Sequence, residues 1–152
     1  MPHETSEGFR GEYLFLSNFY PVHVNVLGRG WSSSEHAFQA HKSLFARERS
    51  MVPAWLDRLQ ASSIRESKAC GKRLAIDVEA WNSFSAEAMR RSLAAKFSDP
   101  GLAYRLISTG ETVLVEYNSW GDRLWGVDAK TRVGQNRLGG LLMELRARLR
   151  DN

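Results

Sequence analysis

Along the first third of the chain the hydrophobic pattern changes period once. Val22, Val24 and Val26 alternate with His23 and Asn25, as in a half-buried strand, and Leu27-Gly28-Arg29-Gly30 supplies turn residues behind them. Residues 13–31 therefore read as extended, in one short hairpin or small sheet. From Ser32 the spacing becomes helical. Ser32 and Glu35 stand in the Ser-x-x-Glu order of a capping box, which predicts a helix beginning at Ser33. At about 100° per residue, Ala37, Phe38, His41, Leu44 and Phe45 form an apolar stripe, with Glu35, Gln39 and Lys42 on a polar stripe beside it. A carboxylate, an amide and an ammonium line up at the edge of a buried face.

Helix then follows helix. Pro53 to Leu59 reads as a short helical turn, and Ser63-x-x-Glu66 is a second capping box leading to Arg73. Ser85 is placed to cap a longer helix in which Ala86, Met89, Leu93 and Phe97 recur at helical spacing. Asp99 as cap and Pro100 at the first position open another, with Leu102, Leu106 and Ile107 inward and Gly110 as its stop. The run Glu111 to Tyr117 alternates like a strand and would add to the small sheet. A Trp- and Gly-rich loop, Asn118 to Gly126, follows as the candidate wall of a site, with Trp125 and Gly126 against the ligand. A last helix is predicted from about Asn136, its stripe made by Leu138, Leu141, Leu142, Leu145 and Leu149. The pattern describes a mainly α protein: an N-terminal arm over 1–12, one compact helical domain over 13–150, and a small antiparallel β-sheet from residues around 13–31 and 111–117.

A chain of 152 residues is one domain by size. Its single Cys70 cannot form an internal disulfide, which fits a reducing compartment, and its small-residue helical surroundings mark it as structural. The N-terminus has neither an apolar run nor a basic region, and no segment approaches 18 apolar residues in succession. A soluble, cytoplasmic protein with no membrane partner is expected. Of the 21 basic residues 16 are arginine, whose planar fork suits phosphate oxygens. Arg123, Lys130, Arg132, Arg137, Arg146, Arg148 and Arg150 face only Asp128 and Glu144 over 123–150, although the last three fall where a helix C-terminus favours cations anyway. A net charge of +4 without a basic stripe interleaved with aromatics is low for a general nucleic-acid binder.

Gly134-Gln-Asn-Arg-Leu-Gly139 is open to two readings. A glycine turn before an Asn cap is an ordinary helix start; the free N–H groups of such a start also bind anions, and Lys130, Arg132 and Arg137 lie close by. Gly134, Asn136 and these three cations are the candidate phosphate holders, and Gly139 with Gly140 suggests a close backbone approach. Asn18, in a turn closed by Pro21, is either an Asx turn or part of a ligand cleft. Trp81, Trp120 and Trp125 fill a core or offer a flat platform to a base. His23, His36 and His41 make no convincing ligand set, so neither a metal nor a cofactor is predicted.

Several separated blocks occur in a telling order: Phe15-Leu-Ser-Asn-Phe-Tyr-Pro21, Ser34-Glu-His-Ala-Phe-Gln-Ala-His-Lys42, Trp125-Gly126, Gly134-Gln-Asn-Arg-Leu-Gly139 and Leu142-Met-Glu-Leu-Arg146. Together they resemble the YbiA-like, or NADAR (NAD- and ADP-ribose-associated), family over nearly the whole chain. The resemblance implies an N-glycosidase in which Glu35, Trp81 and Asp122 belong to the site and Ser17-Asn18-Phe19 borders the cleft. The match departs before Trp81, where such sequences often carry a basic residue and this one reads Ile76-Asp-Val-Glu-Ala80. Cleaving an N-glycosidic bond passes through an oxocarbenium-like sugar, so one carboxylate can stabilise that charge while another deprotonates the attacking water. Lys42 or Asn18 would supply the proton or hydrogen bond to the leaving base. The implied partners are a small phosphorylated ribosyl substrate, such as a riboflavin-pathway intermediate, or ADP-ribose carried on guanine in DNA. The alternative is a non-catalytic ADP-ribose or nucleotide-binding module, in which Glu35 only caps and Asp122 only orders its loop.

Overall fold

The computed structural model describes residues 3–152; Met1 and Pro2, the start of the expected arm, lie outside the described residues. Contacts group the chain into two units, Asn18–Lys96 and Met1–Ser17 with Phe97–Asn152. Both are mainly helical.

In the first unit the valine alternation forms β1 (Val24–Val26), paired antiparallel with β2 (Arg29–Trp31). Leu27 and Gly28 both take positive φ (54° and 72°), the backbone a two-residue hairpin requires. Val24 stands opposite Trp31, and both are buried.

Helix α1 (Ser34–Ala40) starts one residue later than the capping box implied. Its cap is Ser33, whose Oγ accepts from the His36 N–H at 3.1 Å and pairs with His36 Nδ1 at 2.7 Å. Glu35 therefore sits at the second helical position and cannot close a box with Ser32. All seven residues of α1 are buried, because α2 (Val52–Ala61), α3 (Ile64–Gly71), α4 (Val78–Lys96) and β1 all pack around it. The polar stripe is thus inside rather than at an edge. After Ala40 the winding tightens into a 3-10 helix over His41–Phe45, which rotates Leu44 off the apolar stripe and leaves it 44 % exposed.

The capping box at Ser63 and Glu66 forms as predicted. Trp55 of α2 donates its indole N–H to the Cys70 carbonyl at 3.0 Å, and Cys70 lies buried with Trp31, Ala37, Leu59 and Leu74. Helix α4 begins seven residues before Ser85: Asp77 caps it, accepting from the Ala80 N–H at 3.1 Å. Ser85 lies within the helix with its hydroxyl turned back to the Asn82 carbonyl, a local bond that makes a serine look like a cap in sequence alone.

In the second unit, residues 11–16 form a 3-10 helix and not a strand, which lets the adjacent Phe15 and Leu16 both be buried. Helix α5 (Pro100–Ser108) carries the predicted Asp99 cap, with Leu102 and Leu106 buried, and packs on α6 (Arg137–Arg150). The run from Glu111 does not join the hairpin: Tyr117–Asn118 (β3) pairs, in parallel, with Val127–Asp128 (β4), and Val113 makes a single parallel bridge to Glu4. Just before β3, Val113 is held by backbone, its N–H donating to the His3 carbonyl at 2.7 Å and its carbonyl accepting from the Thr5 N–H at 3.0 Å, while Leu114–Glu116 is held by side chains. On one side Thr5 Oγ1 accepts from the Val115 N–H and donates to its carbonyl, both at 2.8 Å. On the other, Asn136 accepts from the Glu116 N–H at 3.0 Å and donates to the Leu114 carbonyl at 2.9 Å. Gly139 is needed here, since a methyl group at that position would overlap the Leu114 carbonyl oxygen. Arg146 is internal, donating to Thr109 and the Thr112 carbonyl at 2.8 Å, so only Arg148 and Arg150 take the surface role expected of the last arginines. No described helix is long and apolar enough to cross a membrane.

Candidate active site

Helix α1 collects four of the predicted site residues. Asn18 fastens its start: the Asn18 carbonyl accepts from the Glu35 N–H at 3.1 Å, and its Oδ1 accepts from the Ser34 hydroxyl at 2.9 Å. The Asn18 amide N–H faces the Met89 sulfur at 3.4 Å, a weak acceptor. These bonds commit Asn18 to holding the start of α1.

Glu35 is 6 % exposed, and its Oε1 accepts from Gln39 Nε2 at 2.9 Å one helical turn later. Lys42 is half-buried with its ammonium 5.7 Å from the centre of the Trp81 ring. Burial lowers the Lys42 pKa; the Glu35 carboxylate opposes that, while Lys72 and Lys68 on the α3 side add to it. Trp81, on α4, is only 8 % exposed and stacks at a tilt on Phe38, ring centres 5.3 Å apart, and edge-on to Phe45. It is a wall that gives Lys42 an aromatic face, not an open platform. The exposed tryptophan is Trp120, at 57 %.

Neither buried histidine beside this corner is a ready acid. His36 donates from Nε2 to the Ser62 carbonyl at 2.9 Å, and burial lowers its pKa against that bond. His41 donates from Nδ1 to the Ala37 carbonyl at 2.7 Å; burial lowers its pKa, with Arg91 acting in the same direction. Both are neutral structural groups.

The other candidates lie in the second unit. Asp122 Oδ1 accepts from the Leu124 and Trp125 N–H groups at 3.0 and 2.9 Å, and Asn118 grips the Asp122 backbone. The carboxylate thus orders its own loop. Gly126 is buried where a side chain would meet Glu116 and Asn118, and Gly134, though exposed, lies where a side chain would meet the Gly126 carbonyl, so both glycines serve close packing of the loop. The start of α6 is not an open anion site: the N–H groups of Gln135, Asn136, Arg137 and Leu138 donate to the carbonyls of Arg123, Gly126, Leu124 and Trp125. Asn136, with φ of 51°, spends its side chain on the 114–116 backbone rather than on a cap. What the loop leaves toward solvent are side chains: exposed Lys130, Arg132 stacked 4.3 Å over the Tyr117 ring, and Arg137 braced by Gln135.

Sequence reasoning placed Gln39 on the polar stripe at the edge of a buried face but gave it no role of its own. The signal was present in its spacing of four from Glu35.

A family model for the NADAR domain matches residues 6–150. The chain belongs to the NADAR family. Relatives of NADAR type agree with that assignment: the N-glycosidase YbiA of Escherichia coli K12 is 35 % identical over 147 residues, covering 91 % of this chain and 82 % of that protein. A riboflavin biosynthesis protein of Vibrio vulnificus is also 35 % identical over 139 residues, but this chain spans only 36 % of its length. An N-glycosidase of Nostoc punctiforme is 29 % identical over 141 residues, covering 91 % of this chain and 87 % of that protein. The solution structure of E. coli YbiA superposes with a TM-score of 0.76 at 30 % identity, covering 99 % of this chain and 84 % of that one. The mainly helical NADAR architecture is therefore shared, and relatives with it are named as N-glycosidases.

Proposed function

We propose that this protein is an N-glycosidase that hydrolyses the bond between ribose C1′ and a base or amine in a phosphorylated substrate. The observation that supports it is the Glu35–Lys42 corner: a carboxylate held by Gln39 in a buried helix, with an amine of lowered pKa near it against Trp81. A buried carboxylate stabilises a developing oxocarbenium charge or accepts the proton of an attacking water, and Lys42 supplies a proton to the departing base. Asp122 keeps its proposed part as the second acid through its charge, and Lys130, Arg132 and Arg137 theirs as side-chain contacts for phosphate. The names of the relatives support a riboflavin-pathway ribosylamine phosphate, and the family resemblance supports ADP-ribose on guanine in DNA.

A second course of the same reaction is favoured by the burial of Lys42. A desolvated amine is more often neutral and therefore nucleophilic; attack at C1′ expels the base and, after the ribose ring opens, leaves an imine that water hydrolyses. Incubation with each substrate class, following release of ribose phosphate or ADP-ribose, tests the reading. Borohydride added during turnover separates the two courses, because only the imine is reduced to a stable adduct on the chain. Binding without any release would establish the nucleotide-binding module instead.

A further inference from the structure

Gln39 carries an anomaly. It is 4 % exposed, its Nε2 is bonded to Glu35, and its Oε1 is buried with no hydrogen-bond partner among the described residues. Leaving a buried acceptor unmade is unfavourable, and a methionine or leucine would fill the same helical position without it. What glutamine supplies that they do not is an N–H aimed at the carboxylate.

Gly71 explains how that N–H keeps its aim. It ends α3 in an ordinary helical conformation, so no positive φ calls for glycine there. The reason is space: a methyl group at Gly71 would overlap Gln39 Oε1 and crowd its Cδ at 2.6 Å. The amide oxygen therefore nests against bare backbone. Turning the amide over would set that oxygen against the Glu35 carboxylate, which repels it.

We propose that Gln39 is a positioning residue for Glu35 and that Gly71 is the seat that fixes the Gln39 amide; the inference rests on the N-glycosidase reading of Glu35. With Oε1 of Glu35 taken by Gln39, the rotamer of the carboxylate is fixed, and with it the direction of the second oxygen. Other charges around this corner are Lys42 in the 3-10 helix that follows α1, Lys68 on α3 and Lys72 just after it.

The test uses the full chain, reading kcat/KM against pH on an aminouracil ribosyl phosphate and, independently of turnover, the carbon-13 titration of the Glu35 carboxyl. Gln39→Met removes the donor at similar volume; kcat is expected to fall about 10-fold or more with KM nearly unchanged, and the acid limb to move about one pH unit higher. Gly71→Ala is expected to move the limb in the same direction without altering either side chain. Gln39→Glu keeps the shape, and while the two carboxyls share one proton it donates as glutamine does. Activity is then regained on the acid side and lost as that proton leaves. An unmoved acid limb and unmoved Glu35 titration in folded Gln39→Met and Gly71→Ala would overturn the proposal; should Gln39→Met not fold, the alkaline loss in Gln39→Glu decides it. A parent protein that releases nothing defeats the N-glycosidase reading instead, and the carbon-13 titration still judges Gln39.

Discussion

The two candidate acids lie in different units and are held in opposite ways. Glu35 belongs to a helix buried on every side, its Oε1 held by another side chain, Gln39. Asp122 lies in a loop and gives one oxygen to two backbone N–H groups, the work of an Asx turn. The hold on Glu35 fixes the direction of the carboxylate within a helix, whereas the hold on Asp122 shapes the path of its loop. Under the proposed function, the main chemical burden falls to Glu35.

Substituting each acid by its amide is the strongest way to break that contrast. Because Ser33 and not Glu35 caps α1, Glu35→Gln should melt close to the parent while hydrolysis falls by about 10²-fold or more. Asp122→Asn, which retains the acceptor for Leu124 and Trp125, should fold normally and lose about 10-fold, a barrier change near 1.4 kcal/mol. If the order of the two losses were reversed, Asp122 would carry the bond cleavage.

The cations sharpen the comparison next. With the N–H groups at the start of α6 already engaged, any phosphate affinity of that loop must come from side chains. Arg132→Ala and Arg137→Ala should each weaken substrate binding by about 1.5–3 kcal/mol, raising KM with little change in kcat. Unchanged affinity in both would make the loop purely structural.

The smallest expected effect is on stability. Lys96, 1 % exposed and 5.7 Å from the Tyr20 ring centre, has its pKa brought down by burial to about 7. In the unfolded chain that amine titrates at about 10.4, so between these values the unfolded state holds more protons and stability rises with pH. Raising the pH from 7 toward 9 should raise the melting temperature, and Lys96→Met should flatten that slope. An identical slope in Lys96→Met would assign the effect to other groups.

Much of the helical order was legible because caps and prolines act locally: Ser63 with Glu66, and Asp99 with Pro100, open helices where their chemistry says they should. The buried polar face of α1 was not legible, since periodicity sorts residues by polarity and cannot foresee that helices will cover the polar side too. The strand reading of 111–117 met the same limit. Its alternation was sound, but beyond the single Val113 bridge to Glu4 the side chains of Thr5 and Asn136, 110 residues from Val115 and 20 from Glu116 respectively, took the places a neighbouring strand would hold. Among the site residues, Glu35 and Lys42 were read correctly as neighbours, while the free helix start at Asn136 was not, because carbonyls of residues 123–126 reach it.

That pairing, one backbone bridge followed by side chains, has a consequence for solubility. Val113, Leu114 and Val115 form an apolar segment of which Val113 is bridged to Glu4, and the open edges of such a segment invite pairing with another molecule. Thr5 and Asn136 occupy its two edges with polar groups too short to continue a sheet. Polar groups so placed oppose edge-to-edge pairing, a consequence that the Glu35–Lys42 corner does not show.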